Sequence, residues 1–299
     1  MIGCSVLLLR ALSGLATWFE AYTRLVGFDR AATRKRLAGK VPPEATCTGY
    51  AAAIVVGAET TTHLGSKVVM HTLRAGEWLA LDAITAFIST VMVHLDGAEE
   101  ERRLRVVIGS RIHNGAFELA RAMRRELDMA GTYCARYILT VNAGTSHWGV
   151  VCIDGLNGRG AKPTIAYYDS GHDHATARMI HEGLRSINGL HEAEVKRAAC
   201  RQQPNHFDCG VCACVNILHL AHGVDVPSGA QWAQRELDDA RLFVASQIFA
   251  CVDHGPYKHA PKRARRRARS PGPRPEQVVI SDTIVCSPNE DSRKGPGHK

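Results

Sequence analysis

The stretch QQPNHFDCGVCACVNILHLAHG, residues 202–223, holds three of the chain's ten cysteines within six positions and runs into one helical pattern. Three chemistries compete for it: a metal knuckle, a buried cysteine-rich helix, or the seat of a nucleophile. Cys209, Cys212, Cys214, His219 and His222 are all ligand types, but Cys209–Cys212 is the only C-x-x-C, and the step from Cys212 to His219 is short for a zinc finger. A thioredoxin-like C-x-x-C belongs after the first strand of an early βαβ unit, whereas this one comes late. Cys212 and Cys214 read as small hydrophobes on a helix that also carries Val211, Val215, Leu218 and Ala221. No metal and no cofactor is expected.

Cys209 differs by position. It lies between Asp208 and Gly210, where loop becomes helix. The start of a helix offers unpaired N–H groups and partial positive charge. A thiol placed there has its nucleophilic thiolate favoured, and Gly210 admits a second backbone or a substrate at close range. Position alone leaves packing and catalysis both open. A nucleophile also needs a base, and the base an orienting group.

Working outward, RYILTVN (137–142 with Arg136), HWGVVCID (147–154) and TIAYYDS (164–170) are rich in β-branched and aromatic residues and read as strands. If the last two pair antiparallel, His147 at the start of one lies beside Asp169 at the end of the other. That placement suits an imidazole whose tautomer an aspartate fixes, and it equally fits a rim histidine and a turn aspartate with nothing in common. Gln203, six residues before Cys209, offers an amide N–H₂ to a developing oxyanion or is an exposed loop glutamine.

Taken in order, His147-Trp148, then Tyr167-Tyr168-Asp169-Ser170, then the full Q-x-N-x-x-D-C-G at Gln203, Asn205, Asp208, Cys209 and Gly210 resemble the ubiquitin-like-protein-specific (SUMO-type) cysteine proteases, the family related to the adenovirus protease. GEWLALDAITAFI (76–88) resembles that family's helix opening with Trp-Leu, although Ala80-Leu81 stands where the family often has Asn-Asp. The resemblance spans about residues 67–252. It implies an α+β, papain-like/adenovirus-protease-like domain with a central mixed sheet flanked by helices and the nucleophile at a helix N-terminus. It implies Cys209 as nucleophile, His147 as base and acid, Asp169 as orienter and Gln203 in the oxyanion hole. Trp78 and Trp148 are implied as walls of a tunnel for a Gly-Gly tail, which suits flat side chains because only a chain without Cβ atoms slides between them. The implied partner is a SUMO-like modifier and its conjugates. An acetyltransferase of the same fold and an inactive modifier-binding module are the rival readings.

The rest of the chain gives the frame. The 299 residues, 45% hydrophobic, suffice for one large domain or two modest ones. The cysteines follow no disulfide framework, which points to a reducing compartment. Arg10 interrupts the apolar run after Leu9, and no basic segment precedes it, so a signal peptide is not expected. Leu8, Leu12, Leu15, Trp18, Tyr22 and Leu25 instead step as an amphipathic helix. Residues 1–65 read as an N-terminal extension of that helix plus an irregular segment, 66–254 as the peptidase domain and 255–299 as a tail. Helices are expected over 76–95, 116–131, 175–187 and 231–249, and strands over 103–109 and 192–199. From Pro256 to Lys299 there are 11 Lys+Arg against 4 Asp+Glu, which accounts for +7 of the chain's net +8. The tail, with the run Lys262–Arg269, is expected to be disordered. The near-neutral body argues against nucleic acid beyond non-specific tail contact, and no uncharged apolar run is long enough for a membrane span. Nucleus or cytoplasm follows, the basic run favouring the nucleus.

Overall fold

A computed structural model describes residues 15–39, 46–47, 62–63, 67–94, 104–112, 136–143, 147–155, 162–171, 174–185, 190 and 192–254. All of them fall within one unit, Met1–Lys258. The helix expected over 116–131, the first turns of the N-terminal helix and the basic tail lie outside the described residues.

The helices are α1 (Leu15–Leu25), α2 (Arg30–Ala38), α3 (Lys67–Thr72), α4 (Leu81–His94), α5 (His174–Arg185), α6 (Cys209–Ala221) and α7 (Gln234–His254). Two short strands, β1 (Thr46–Cys47) and β2 (Thr62–His63), pair with each other. The main sheet runs β3 (Leu104–Ile112), β4 (Arg136–Ala143), β5 (His147–Asp154), β6 (Thr164–Tyr168), β7 (Val195–Ala198) in spatial order. The outer pairs β3/β4 and β6/β7 are parallel and the inner pairs antiparallel, so the sheet is mixed, as expected. Short connections favour antiparallel neighbours: β4 and β5 pair up to Ala143↔His147, with three residues of sequence between those two. The parallel pair β6/β7 needs a crossover, which contains α5.

The central helix is α6. All thirteen of its residues are buried, Val211, Cys214, Ile217 and Leu218 at 1% exposure or less. A helix apolar on every side belongs inside a domain. One side of α6 meets β4 and β5, and the other meets α4 and α7. This explains why the sequence shows no clean stripe there. Strand β5 is likewise buried along both faces between Trp148 and Ile153, and reads as a nearly continuous apolar run.

Two features differ from expectation in position. Helix α4 begins at Leu81, not at Gly76, because the Trp148 indole N–H donates to the Leu79 carbonyl at 3.2 Å and holds the preceding residues out of the helix. Residues 30–38, read from sequence as irregular, form α2, capped by Asp29, whose Oδ1 accepts the Ala32 N–H at 2.9 Å. The N-terminal segment is also part of the core: Trp18 and Tyr22 of α1, 1% and 2% exposed, pack against His219, His222 and Phe243.

His219 sets an acid limit on this packing. Its Nδ1 bonds the Asp225 carbonyl at 2.9 Å, and its ring lies 4.5 Å from that of Trp18. Burial lowers its pKa to about 4, against a small opposing effect of the Asp225 bond. The unfolded chain takes up the proton near 6.5, so this contribution is complete above pH 6.5 and is lost as pH falls towards 4. Between pH 7 and pH 5 the loss is about 2 kcal/mol. Denaturant unfolding at the two pH values is expected to show it, and His219→Gln to flatten it.

Candidate active site

The site forms where β5 begins, β6 ends and α6 begins. The β5/β6 register runs from Val150↔Tyr168 to Asp154↔Thr164, which brings His147 and Asp169 to the same end of the sheet. His147 Nε2 and Asp169 Oδ1 are 2.5 Å apart. The Asp169 side chain is fully covered, and that of His147 is 16% exposed. Oδ1 also accepts the Gly171 N–H at 2.8 Å, a bond that turns the chain directly after the strand.

Cys209 is the first residue of α6 and is buried at 1% exposure. Its thiol hydrogen-bonds His147. With Nε2 taken by Asp169, Nδ1 is the nitrogen left for sulfur. Burial would lower the His147 pKa, but the bonds to Asp169 and Cys209 outweigh it and push it up to about 10. A raised histidine pKa contributes stability that is complete below 6.5 and lost as pH rises through about 10. The imidazole is therefore held as imidazolium at neutral pH. Further along the helix, burial pushes the Cys212 and Cys214 thiols far up, into the range of inert core cysteines.

The start of α6 is shaped for a polar guest. Asp208 occupies the N-cap without making a side-chain cap bond. An aspartate there ordinarily accepts an N–H of the first turn. Here its carboxylate turns inward to Arg241 at 2.5 Å, Asn205 Nδ2 at 2.7 Å and Gln234 Nε2 at 3.1 Å. The first-turn N–H groups thus receive no cap from this carboxylate. Gly210 is required by packing: a Cβ there would come within 2.8 Å of Leu79 Cβ and 3.3 Å of Trp148 Cδ1.

Gln203 sits on the loop beside this helix start, fixed at both ends. Its Oε1 accepts from Ser170 Oγ at 2.8 Å, and its Nε2 donates to the Asn205 carbonyl at 2.5 Å. The second Nε2 hydrogen is not used by that bond. The two tryptophans are not equivalent. Trp148 is 5% exposed with its indole anchored to Leu79, whereas Trp78, next to Leu79, is 41% exposed. His147, Asp169, Cys209 and Gln203 are thus gathered, with Trp148 beside them and Trp78 at the surface.

Several supporting residues carry no sequence signal of their own. Ser170 bonds both Gln203 and the Cys212 thiol. Gln202 Nε2 donates to the Asp169 carbonyl at 3.0 Å and that of Cys200 at 2.9 Å. Asn205 Oδ1 accepts the N–H groups of Phe207 and Asp208, both at 3.0 Å, which makes the turn into α6. Ser170 and Asn205 at least stand in the quoted motifs; Gln202, Arg197 and Arg241 stand in none.

A family model described as the Ulp1 protease family, C-terminal catalytic domain, matches residues 89–253. Among solved structures, the chain is similar to the SUMO protease Ulp1 with its catalytic cysteine oxidised to a sulfonic acid. That match has 20% identity and a TM-score of 0.50, and covers 74% of this chain and 94% of the other. It is also similar to the Chaetomium thermophilum Ulp1-like SUMO protease catalytic domain, at 16% identity and a TM-score of 0.50, over 74% of this chain and 88% of the other. None of the curated proteins compared with the chain matches it. At these identities the solved structures speak for the fold.

Proposed function

The chain belongs to the Ulp1 protease family, a family of cysteine proteases, and from that premise we propose that it cleaves after the C-terminal Gly-Gly of a SUMO-like modifier. The observation that carries the reading is His147, bonded through Nε2 to a fully buried Asp169 and through its other side to Cys209 at the first position of a buried helix. In this reading Cys209 Sγ attacks the glycine carbonyl carbon, and Gln203 Nε2 together with the N–H at the start of α6 receives the oxyanion. His147 gives its proton to the departing amine, a lysine side chain or an α-amine, leaving a thioester. His147 then takes a proton from water as the water attacks the thioester, and the Cys209 thiolate leaves, restoring the thiolate–imidazolium pair that began the cycle. Each step uses side chains of this chain and water.

Trp78, exposed beside the anchored Leu79, supplies one wall of the path for the glycine tail, and Trp148 the floor behind it. The SUMO-like modifier is carried over from the family and from the similar SUMO proteases. The boundaries 66–254 for the peptidase domain belong to the same proposal, as does a nuclear location drawn from Lys262–Arg269.

The test is a panel of ubiquitin, SUMO and other ubiquitin-like proteins, each with a C-terminal electrophile in place of the last glycine, read by intact mass. One adduct with a SUMO-type member, absent in Cys209→Ala, is the expected result. A labelled Cys209 with no modifier adduct would shift the reading to acetyl transfer. A Cys209 no more reactive than Cys212 towards a general thiol reagent would leave only a binding module.

A further inference from the structure

The Asp169 carboxylate is unevenly satisfied. Oδ1 takes both His147 Nε2 and the Gly171 N–H, whereas Oδ2 is buried without a hydrogen-bond partner among the described residues. A carboxylate oxygen out of water in that state is costly unless a cation offsets it. Arg197 lies beside it. Its guanidinium nitrogen is 3.7 Å from Oδ2, an ion-pair distance rather than a hydrogen bond.

The fold dictates this approach. Strand β7 runs parallel to β6 with Tyr167↔Arg197 in register, so Arg197 stands level with the residue two before Asp169. The same nitrogen donates to the Gly171 carbonyl at 2.6 Å. Gly171 in turn lies against the catalytic-site imidazole, since a Cβ there would come within 2.8 Å of His147 Cε1. One guanidinium therefore reaches both groups that meet this edge of the ring.

We infer that Arg197 is a positioning residue for His147, holding in place the Asp169 carboxylate and the Gly171 backbone that together meet the Nε2/Cε1 edge of the imidazole. This rests on the reading of His147 and Asp169 given above. The titratable and charged groups facing this pair are the Cys209 thiol from α6 and the Arg197 guanidinium from β7, with the Cys200 thiol bonded to the Asp169 carbonyl at 3.1 Å. Arg197 does a second thing by its charge. His147 must surrender its proton to the leaving amine, and a carboxylate shared with a second cation grips that proton less tightly. The Arg197 side chain is 32% exposed, so solvent screens the effect and keeps it modest.

The experiment is an NMR titration of the His147 ring in the whole chain, for wild type, Arg197→Gln, Arg197→Lys and Asp169→Asn. It needs no substrate. Arg197→Gln is expected to raise the His147 pKa by about half a unit, with Arg197→Lys restoring it and Asp169→Asn lowering it. In parallel, the rate of adduct formation with SUMO carrying a C-terminal propargylamide is expected to slow about fivefold in Arg197→Gln. If Arg197→Gln leaves the titration unchanged while Asp169→Asn moves it, the inference is overturned and the pairing of His147 with Asp169 stands. If neither variant moves it, that pairing itself fails and the inference falls with it.

Discussion

Asp169→Asn is expected to lower kcat/KM by about 10⁴-fold while leaving the fold in place, the size of loss that follows when a buried orienting aspartate loses its charge but keeps its shape. The surroundings of Asp169 leave asparagine no good pose. If its oxygen replaces Oδ1, the bonds to Gly171 N–H and His147 Nε2 survive, but its N–H₂ then faces the Arg197 guanidinium, donor against cation. If the amide is turned over, N–H₂ faces the Gly171 N–H, and His147 Nε2 must give up its hydrogen to accept. That second pose places the ring proton on the nitrogen facing Cys209, the wrong tautomer for a base. In both poses the negative charge that supports the imidazolium is gone. The His147 pKa, held near 10, must fall, so the alkaline limb of activity moves to lower pH. A kcat/KM profile across pH on a SUMO-type fluorogenic substrate reads both effects. A variant with wild-type rate and an unmoved alkaline limb would remove Asp169 from the chemistry.

The legible part of this site is the part written at junctions between elements. His147 opens a strand, Asp169 follows the end of its antiparallel neighbour, and Cys209 opens a helix, so strand patterning and one loop-to-helix boundary suffice to suggest their meeting. The mixed sheet was foreseeable through the family resemblance. What was not legible depends on pairing at long range. Arg197 sits in a short strand, VKRA, whose burial pattern is half open, and nothing there distinguishes it from Lys196 beside it. Only the parallel register of β6 and β7 selects one of the two for Asp169. The start of α4 was misplaced for a similar reason: the bond that withholds Leu79 from the helix comes from Trp148, 69 residues on. Helix α2 is a different case, since its cap Asp29 was present in the sequence, but its string of basic residues offers almost no apolar face to count.

Arg241 makes the largest demand on the fold. In the sequence it is one more charge on RELDDAR, yet its side chain is 3% exposed and that of its partner Asp208 1%. Its two terminal nitrogens bond Asp208 Oδ1 at 2.5 Å and the Thr72 carbonyl at 2.7 Å, joining α7, the residue before Cys209 and the end of α3. Both carboxylate oxygens of Asp208 are satisfied, Oδ2 by Asn205 and Gln234. A complete buried network of this kind adds little net stability over an apolar core, but removing one partner strands the other charge out of water. Arg241→Met is therefore expected to cost about 3–5 kcal/mol, measured as a fall in the denaturant midpoint. Arg241→Met combined with Asp208→Asn should recover part of that, because the stranded charge is gone. A loss below about 1 kcal/mol in the single variant would mean that water reaches the pair. The consequence for chemistry follows from where Asp208 sits. Held by Arg241, its carboxylate stays away from the first turn of α6 and leaves those N–H groups to a substrate oxygen. Freed of Arg241, it can rotate to cap that turn, as an N-cap aspartate ordinarily does. It would then occupy the donors and bring a negative charge to the start of the helix. The single variant should accordingly lose more activity than its unfolded fraction accounts for at a temperature where it remains folded, and the double variant, with a neutral side chain at 208, should lose less.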